Sequence, residues 1–493
     1  MSNRASLELT LGSPPKGRRK PSEEPLRILF LAELSGRDAP DPTFKTQRVS
    51  FETFESTMAS VAPAASIEID SPLSINETIT FSSIDDFHPD SLAKSIGTFR
   101  TLKILGDRLD DPDTRDEALT QLAELSDPGN REKPGPETTV ADKPPSEAEG
   151  DMMERLLGAS AGASPRSRAH QKVEAFIQNV IGEAQIEMPS ASAEVGQRQI
   201  DALMAATMRA VLMSQPLRSL ERAWRSAEWL MQRLDDETTE IHVLDLSKEN
   251  LSAHLSEHAK QLDRSALHRL FCEPASGNPW DLFVGDYSFS LDADDLVLLT
   301  TIGALAGQAR VPFVAHGDLS LCGCDSLDQL ETPWDWRLPE DDTGELWAEV
   351  RSHPASQWVG LATPRFLLRQ AYGPETDPID SFDFHELPPR PEAARFLWGN
   401  PAIGCAYLLG RARADESQQS DVGSLDIEDL PTVLFDDGTG QALQPPVEAL
   451  ISERAMLQIQ ASGLIPMLGK RNANSVRCAD LTAVASQTVS FLP

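Results

Sequence analysis

Apolar residues near the N-terminus follow patterns typical of strands and helices in turn. The run LRILFLAEL (26–34) is continuously apolar after Pro25, which predicts a strand buried on both faces. Residues 66–70 and 77–83 alternate between apolar and polar positions, and we expect two further strands there. Two helices complete a small α/β unit over residues 25–125, with core-facing positions at Phe51, Phe54, Met58 and Val61 in the first and Leu92, Ile96, Phe99 and Leu102 in the second, which starts at Pro89.

The hydrophobic pattern stops after this unit. From Asp110 to about Gly150 the chain is rich in Pro, Glu, Asp, Lys and Gly and has few residues to bury, which is typical of a disordered linker. We place the acidic, Pro-rich linker at residues 126–150. One domain then covers residues 1–125 and a second covers 151–493.

The second domain begins with helical patterns. DMMERLLG (151–158) is a short amphipathic patch, and a longer one covers 168–184. The strongest periodicity of the chain follows, with steps of three and four residues that define one apolar helix face. The members of this face are Leu217, Leu220, Trp224, Ala227, Met231 and Leu234.

Predicted strands then alternate with predicted helices, which favours right-handed crossovers and a largely parallel sheet. The fold class expected for the chain is α/β, with mixed, largely parallel sheets flanked by helices. The strands are predicted at 241–246, 280–289, 311–315 and 358–362, and the helices from Asn250, over 294–310 and near 345–351.

Charge and cysteine content narrow the classes of function. The chain has 77 acidic and 44 basic residues and a formal charge of −33. Such a surface repels nucleic-acid phosphate and anionic membrane, so neither is an expected partner. Five scattered cysteines, no signal-peptide pattern and no apolar run long enough to span a bilayer together predict a cytoplasmic protein.

No segment predicts an active site, a cofactor site or a metal site, so we expect a protein that is not an enzyme. Cys322 and Cys324 are only two thiols, whereas a closed zinc site has four ligands, and a structural role is favoured. The acidic stretch 85–90 fits a helix N-terminus before Pro89 better than a cation site. DDGTG (436–440) lacks the lysine of a phosphate loop and is predicted to be a turn.

Arg365 and Arg369 are the polar residues of most interest in the second domain. They lie four residues apart in GLATPRFLLRQAYG (360–373), so on a helix they would share one face beside Phe366 and Leu367. In an acidic protein, such a pair can bridge to carboxylates of a neighbouring subunit. A local salt bridge is the alternative interpretation, and spacing alone favours it.

The residues quoted above also resemble a known family. LRILFLAELSGR (26–37), RVSFETFESTMASVAP (48–63) and ITFSSIDDFHPDSLAKSI (79–96) resemble the small sheath subunit of type VI secretion systems. That family has a Pro-preceded apolar strand ending in a Gly-Arg turn, a Phe-containing helix and an F-x-x-x-x-D-F-x-P-[DE]-x-L signature. The signature positions in this chain are Phe81, Asp86, Phe87, Pro89, Asp90 and Leu92.

From about residue 168 onward the chain resembles the large sheath subunit. LRSLERAWRSAEWLM (217–231) is similar to its L-E-x-x-W-R helix, and residues 280–315 are similar to its G-D-Y strand with the helix and strand that follow. Several ordered blocks make the resemblance specific, where one block alone would not. The further blocks are 359–373, 382–386, 396–402, 429–452 and 462–468.

The resemblance implies a contractile-sheath-like fold in which the two subunits intertwine, here joined in one polypeptide. It implies a structural component that assembles with itself or other sheath subunits around an inner tube protein and contracts to propel that tube. A AAA+ ATPase recycles such sheaths by recognising a short helix, which the resemblance assigns to Met152, Met153, Leu156 and Leu157. No cofactor is implied.

One departure from the family leaves a second function open. The large subunit normally continues well beyond the block at 462–468, whereas this sequence stops at Pro493. The alternative to a sheath subunit is therefore a non-polymerising accessory protein that binds, caps or initiates a partner sheath. An enzyme is the third class considered, because α/β sheets often hold sites at their strand ends.

Overall fold

The computed structural model describes residues 24–37, 44–111, 113–125, 193–274, 277–388, 392–417, 425–436, 441–487 and 489–491. The predicted linker at 126–150 and the predicted helical patches at 151–158 and 168–184 lie outside the described residues. Within them the chain forms fifteen strands and twelve α-helices.

The strands form one nine-stranded sheet and three two-stranded sheets. In chain order the strands are β1 (Leu26–Ala32), β2 (Gln47–Val49), β3 (Ala64–Ile69), β4 (Ile75–Thr80), β5 (Thr239–Asp245), β6 (Leu282–Phe289), β7 (Phe313–Gly317), β8 (Val359–Thr363), β9 (Phe366–Leu367), β10 (Trp398–Gly399), β11 (Asp426–Ile427), β12 (Val433–Asp436), β13 (Gln441–Gln444), β14 (Ile465–Gly469) and β15 (Val476–Cys478).

The large sheet has the order β11-β15-β14-β8-β7-β6-β1-β5-β2. Its six inner strands from β5 to β14 are parallel, while β2 and β15 run antiparallel to the strands they pair with. The small sheets are the antiparallel pairs β3–β4, β9–β10 and β12–β13. This architecture confirms the predicted fold class. Of the turn predicted at 436–440, Asp436 is the last residue of β12 and residues 437–440 lie outside the described residues.

Helices cover both faces of the large sheet. In chain order they are α1 (Phe54–Val61), α2 (Pro89–Ser95), α3 (Gly97–Asp110), α4 (Arg115–Leu125), α5 (Ala193–Leu212), α6 (Gln215–Arg233), α7 (Lys248–Glu257), α8 (Ala266–Cys272), α9 (Ala293–Ala309), α10 (Asp342–Ser352), α11 (Ala402–Ser417) and α12 (Glu453–Ala461). One apolar core contains residues of α1 to α6 and α11, and the other contains residues of α7 to α10 and α12.

The predicted apolar face of helix α6 is buried as expected. The exposed fractions of its six members range from 0% at Trp224 to 9% at Leu234. Pro216 lies in the first turn, where its missing N–H costs no helical hydrogen bond. One face of the helix therefore packs into the core, as the periodicity predicts.

Two details of the N-terminal domain differ from the prediction. Phe51 is 75% exposed, because helix α1 begins at Phe54 and leaves Phe51 in the preceding turn. Helix α4 lies within the stretch where the composition change had predicted the end of ordered structure. Its Ala118 and Leu122, one helical turn apart, are buried in the core and Leu119 packs against it, so this short apolar set docks a helix rich in charged residues.

Candidate functional site: the junction of the N-terminal and C-terminal regions

The most extensive contact between distant parts of the sequence joins residues 24–125, called here the N-terminal region, to residues 193–491, the C-terminal region. Strand β1 of the N-terminal region lies inside the large sheet and pairs in parallel with β5 on one side and β6 on the other. Ile28 and Phe30 point into one core, and Leu29 and Leu31 point into the other. The strand is thus buried on both faces, as the continuous apolar run in the sequence predicts.

The turn after β1 is held by side chains of the C-terminal region. The Asp245 carboxylate accepts hydrogen bonds from the backbone N–H groups of Leu34 and Ser35 at 2.8 and 3.0 Å. The Trp224 indole N–H donates to the carbonyl of Leu34 at 2.8 Å, and its ring packs edge-on against Phe54 of the N-terminal region. Trp224 is therefore a core residue that also fixes the junction.

Gly36 lets the chain leave this turn. Its φ of +65° lies in the left-handed region, and an added Cβ would sit 2.1 Å from the carbonyl oxygen of Ala64. Arg37 follows and donates to the carbonyl groups of Val61 and Ala62 at 2.7 and 3.0 Å, at the end of helix α1. The Gly-Arg turn noted in the sequence thus needs both residue types.

Arg27 anchors the beginning of β1. Its side chain is only 4% exposed, and its guanidinium donates to the Glu240 carboxylate at 3.1 Å and stacks over the Trp280 ring at 4.4 Å. It also donates to the backbone carbonyl of Asn278. Arg48, also from the N-terminal region, lies 3.6 Å from Glu240 but is 52% exposed. The junction therefore has one buried and one exposed arginine on the same carboxylate.

Asp90 forms a polar latch at another point of the junction. Its carboxylate accepts hydrogen bonds from the backbone N–H groups of Asp380 and Ser381 at 3.0 and 2.9 Å, and from the Ser381 hydroxyl. Burial raises the pKa of Asp90, but these hydrogen bonds outweigh it and hold the pKa below its usual range. The adjacent His88 ring packs edge-on against Tyr372 at 5.1 Å.

The acidic stretch 85–90 is therefore used for local structure and for the junction. Asp86 accepts hydrogen bonds from the backbone N–H groups of Ser82 and Ser83 at the start of a 3₁₀ helix, Ile84–Phe87. Helix α2 begins at Pro89 with Asp90 in its first turn, where the helix N-terminus was predicted. Within the part of the chain that the structure describes, no group of three or more His, Cys, Asp or Glu residues is placed to hold a metal ion. Cys322 and Cys324 are both buried in the apolar core.

Arg365 and Arg369 are not on a helix, so the condition under which they would share one helical face is not met. Strand β8 ends at Thr363 and β9 occupies Phe366–Leu367, which leaves Arg365 just before β9 and Arg369 in the bend that follows it. Pro364 favours an extended conformation for Thr363, the residue before it and the last of β8. Sequence spacing of four therefore does not bring the two side chains onto one surface.

The two arginines have separate carboxylate partners within the chain. Arg365 donates to Glu448 at 2.9 Å and its side chain is 36% exposed. Arg369 is 9% exposed and bonds to Glu221 at 2.8 Å and to Glu386 at 2.7 Å. Local ion pairs, the alternative interpretation from sequence, are thus present, and contact of either arginine with a neighbouring subunit stays a prediction.

The C-terminal region contains a buried charge cluster, formed by Glu221, Arg225, Arg369 and Glu386. Burial raises the pKa of the Glu221 carboxyl, but the guanidinium groups of Arg369 and Arg225 hold that pKa below its usual range. Arg225 lies 2.7 Å from Glu221 and also donates to the Tyr372 hydroxyl at 3.1 Å. Two acids and two bases neutralise one another, which is the condition under which ionised groups tolerate burial.

The predicted ATPase-recognition helix lies outside the described residues, so the role of Met152, Met153, Leu156 and Leu157 stays a prediction.

Sequence reasoning missed Arg27, Asp245 and Asp380 as junction residues. An arginine inside an apolar strand and an aspartate at the carboxyl end of another strand were the available signals.

Among the described helices, none combines the length and the apolar character needed to cross a membrane.

Comparison with known proteins gives two matches in sequence order. Residues 3–124 match the family model described as type VI secretion system, VipA, VC_A0107 or Hcp2. Residues 197–481, more than half of the chain, match the VipB model, described as EvpB/VC_A0108, tail sheath N-terminal domain. These matches confirm the resemblance to a small and a large sheath subunit within one chain.

A curated relative gives the same assignment. The chain is 28% identical over 291 residues to the type VI secretion system sheath protein TssC1 of Pseudomonas aeruginosa, strain PAO1. The aligned part covers 56% of this chain and 58% of that protein. The chain thus spans somewhat more than half the length of the curated relative it matches.

Proposed function

Because the chain belongs to the VipB tail-sheath family, we propose that it is a structural subunit of a type VI secretion contractile sheath, with small-subunit-like and large-subunit-like regions joined in one polypeptide. The observation that carries this proposal is the position of β1, which pairs with β5 on one side and β6 on the other. A strand so placed makes the two regions one folding unit. Residues 1–125 and 151–493 then act as fused subunits with fixed one-to-one stoichiometry.

The proposed subunit assembles with copies of itself or with other sheath subunits around an inner tube protein. Contraction of that assembly propels the tube, in the bacterial cytoplasm, and the chain itself catalyses no reaction. Of the two predicted inter-subunit arginines, Arg365 is the better placed, because its side chain is 36% exposed whereas that of Arg369 is 9% exposed. Arg369 serves mainly to neutralise the buried carboxylates around it.

Electron microscopy of the negatively stained full-length chain tests the proposal. We expect filaments or rings for the parent and for Arg48→Met, which removes the exposed arginine near Glu240. Arg27→Met removes the buried one, so we expect it to abolish the assemblies. A monodisperse monomer for the parent would contradict the proposal and support the accessory protein that binds, caps or initiates a partner sheath.

The recognition helix proposed at Met152–Leu157 needs its own test. Its four apolar residues fall at i, i+1, i+4 and i+5, which gives a narrow face suited to a groove in a AAA+ ATPase. A peptide covering residues 150–161 is titrated against the N-terminal domain of the cognate ATPase. We expect saturable binding that Leu156→Asp abolishes, and no binding at millimolar peptide would contradict the assignment.

A further inference from the structure

The corner between helices α5 and α6 collects positive charge on an otherwise acidic chain. Arg209 lies in the last turn of α5, and Arg218 lies near the start of α6. Arg395 ends a short 3₁₀ helix, Ala393–Arg395, which contacts this corner through Arg218. The chain has 77 acidic and only 44 basic residues, so three neighbouring arginines are an exception to its overall charge. None of the three belongs to the charge cluster described above.

Arg218 holds the 3₁₀ helix against the corner. Its guanidinium donates to the backbone carbonyl of Ala394 at 2.7 Å and to that of Phe396, and it lies 3.2 Å from the Met213 sulfur. The two carbonyl groups flank Arg395 in the sequence. The backbone of Arg395 is therefore fixed from both sides by Arg218, while its own guanidinium takes no part in these bonds.

Arg209 is a second cation near Arg395. Its guanidinium donates to the backbone carbonyl of His385 at 2.9 Å, which uses one of its five N–H donors. Burial, followed by the nearby charge of Arg395, lowers the pKa of Arg209. Across the described residues, no carboxylate lies within ion-pair distance of Arg209, Arg218 or Arg395. Like charges that are partly removed from water disfavour each other, and an anion between them would relieve that cost.

The start of α6 adds positive potential to the same corner. Its first turn contains no acidic residue, and the side chain of Ser214 at the N-cap accepts no hydrogen bond from the first N–H groups of the helix. The buried Oγ of Ser214 has no hydrogen-bond partner in the described part of the chain. The N-terminal end of a helix carries partial positive charge and attracts anions. Two guanidinium groups and a helix end therefore favour an anion at this corner.

We propose that the α5–α6 corner binds a carboxylate-rich segment of a second copy of this chain through Arg209 and Arg395. Copies that each carry a formal charge of −33 repel one another, so contacts between them need local cations. Met213, which is 36% exposed, adds an apolar contact at the same corner. The inference rests on the proposed function, because self-assembly supplies the second copy, and it names a surface through which copies meet.

Sedimentation of the full-length chain over a range of concentrations tests the contact. We expect Arg395→Glu to raise the concentration needed for assembly at least tenfold, while Arg395→Lys, which keeps the charge, assembles like the parent. Arg471→Glu is the matched control, because Arg471 is exposed in the turn between β14 and β15 and its replacement changes the net charge equally. Circular dichroism should show the same melting temperature for all four chains, since the Arg395 side chain has no ion pair with another described residue to lose.

The outcomes separate this inference from the sheath proposal. If the parent assembles and Arg395→Glu assembles at the same concentration, the corner is not a contact, and the sheath proposal is unaffected. A parent that never sediments contradicts the sheath proposal and removes the second copy as the occupant.

A labelled hexaglutamate peptide supplies a readout that does not require assembly. Its fluorescence anisotropy is measured with each chain at low ionic strength, below the concentration at which the parent assembles. An acidic chain repels this peptide unless a local group of cations binds it. We expect saturable binding by the parent and by Arg471→Glu, and binding at least tenfold weaker by Arg395→Glu and by Arg209→Met. Equal affinity for all four chains, or no saturable binding by the parent, would overturn the inference.

Discussion

Strand β1 and the Asp90 carboxylate both join the N-terminal region to the C-terminal region, but they do so by different physical means. The core residues of β1 from Ile28 to Ala32 are 0% exposed, and Ile28 to Leu31 pair with neighbouring strands on both sides. The Asp90 side chain is 17% exposed and binds one loop through a few hydrogen bonds. Damage around β1 should therefore destabilise the whole sheet, whereas damage at Asp90 should loosen one contact.

The largest expected effect comes from Trp224→Ala. This change removes a fully buried ring and its hydrogen bond to Leu34, so we expect the free energy of unfolding to fall by about 3–5 kcal/mol. Trp334→Ala is the control, because Trp334 is 54% exposed and should cost about 0.5 kcal/mol or less. Urea denaturation followed by circular dichroism measures both. Equal midpoints for parent and Trp224→Ala would show that this part of the junction adds no stability.

A slightly smaller loss is expected from Arg369→Met. The change leaves Glu221 and Glu386 buried with one cation between them, and breaking a buried ion pair from one side costs about 3 kcal/mol. Arg365→Met is the matched control, since its more exposed pair with Glu448 should contribute about 1 kcal/mol or less. The same denaturation experiment compares them. If the control lost as much as Arg369→Met, burial would not be what distinguishes the two arginines.

A third and smaller effect is expected from Asp90→Asn, with a defined dependence on pH. The pKa of Asp90 is lowered in the folded state, so its ionised form stabilises the protein above the unfolded pKa of about 3.9. That contribution is lost as the pH falls through the lower folded pKa. We expect Asp90→Asn to cost about 1–2 kcal/mol at pH 7 and progressively less towards pH 3.

Asp377→Asn is the control for this measurement. Asp377 also faces His88, at 3.7 Å, but its side chain is 53% exposed and should contribute little. Unfolding free energies of the parent and both variants are compared at pH 7 and pH 3. A cost for Asp90→Asn that is the same at both pH values would show that its charge is not what holds the Asp380–Ser381 loop.

Local patterns in the sequence predict most of the secondary structure of this chain. The α6 face from Leu217 to Leu234 is buried as predicted, because residues spaced by three and four positions lie on the same face of a helix. The strand predicted at 280–289 is found as β6 at Leu282–Phe289. Helix α4 was missed because its core-facing residues, Ala118, Leu119 and Leu122, lie in a segment rich in charged residues.

The junction could not be predicted from local patterns, because its partners are far apart in the sequence. β1 pairs with strands more than 200 residues later, and Asp90 binds residues 290 and 291 positions away. The partners of Arg365 and Arg369 could not be predicted from local patterns either. Their spacing of four favoured a local salt bridge without naming a partner, and their carboxylate partners lie 83, 148 and 17 residues away.

The smallest expected effect is that of cutting the chain between the two regions. The composition of residues 126–150 predicts that protease cuts between Asp127 and Glu149, because this stretch has little apolar surface to protect it. We expect the fragments to elute together from a sizing column, since β1 remains paired on both sides and α3 and α4 remain packed on α5. In denaturant, the two fragments of the same digest should elute separately. Separation of the fragments without denaturant would contradict the interpretation that two subunits are fused here, because it would mean that the peptide link, rather than the shared sheet, holds the regions together.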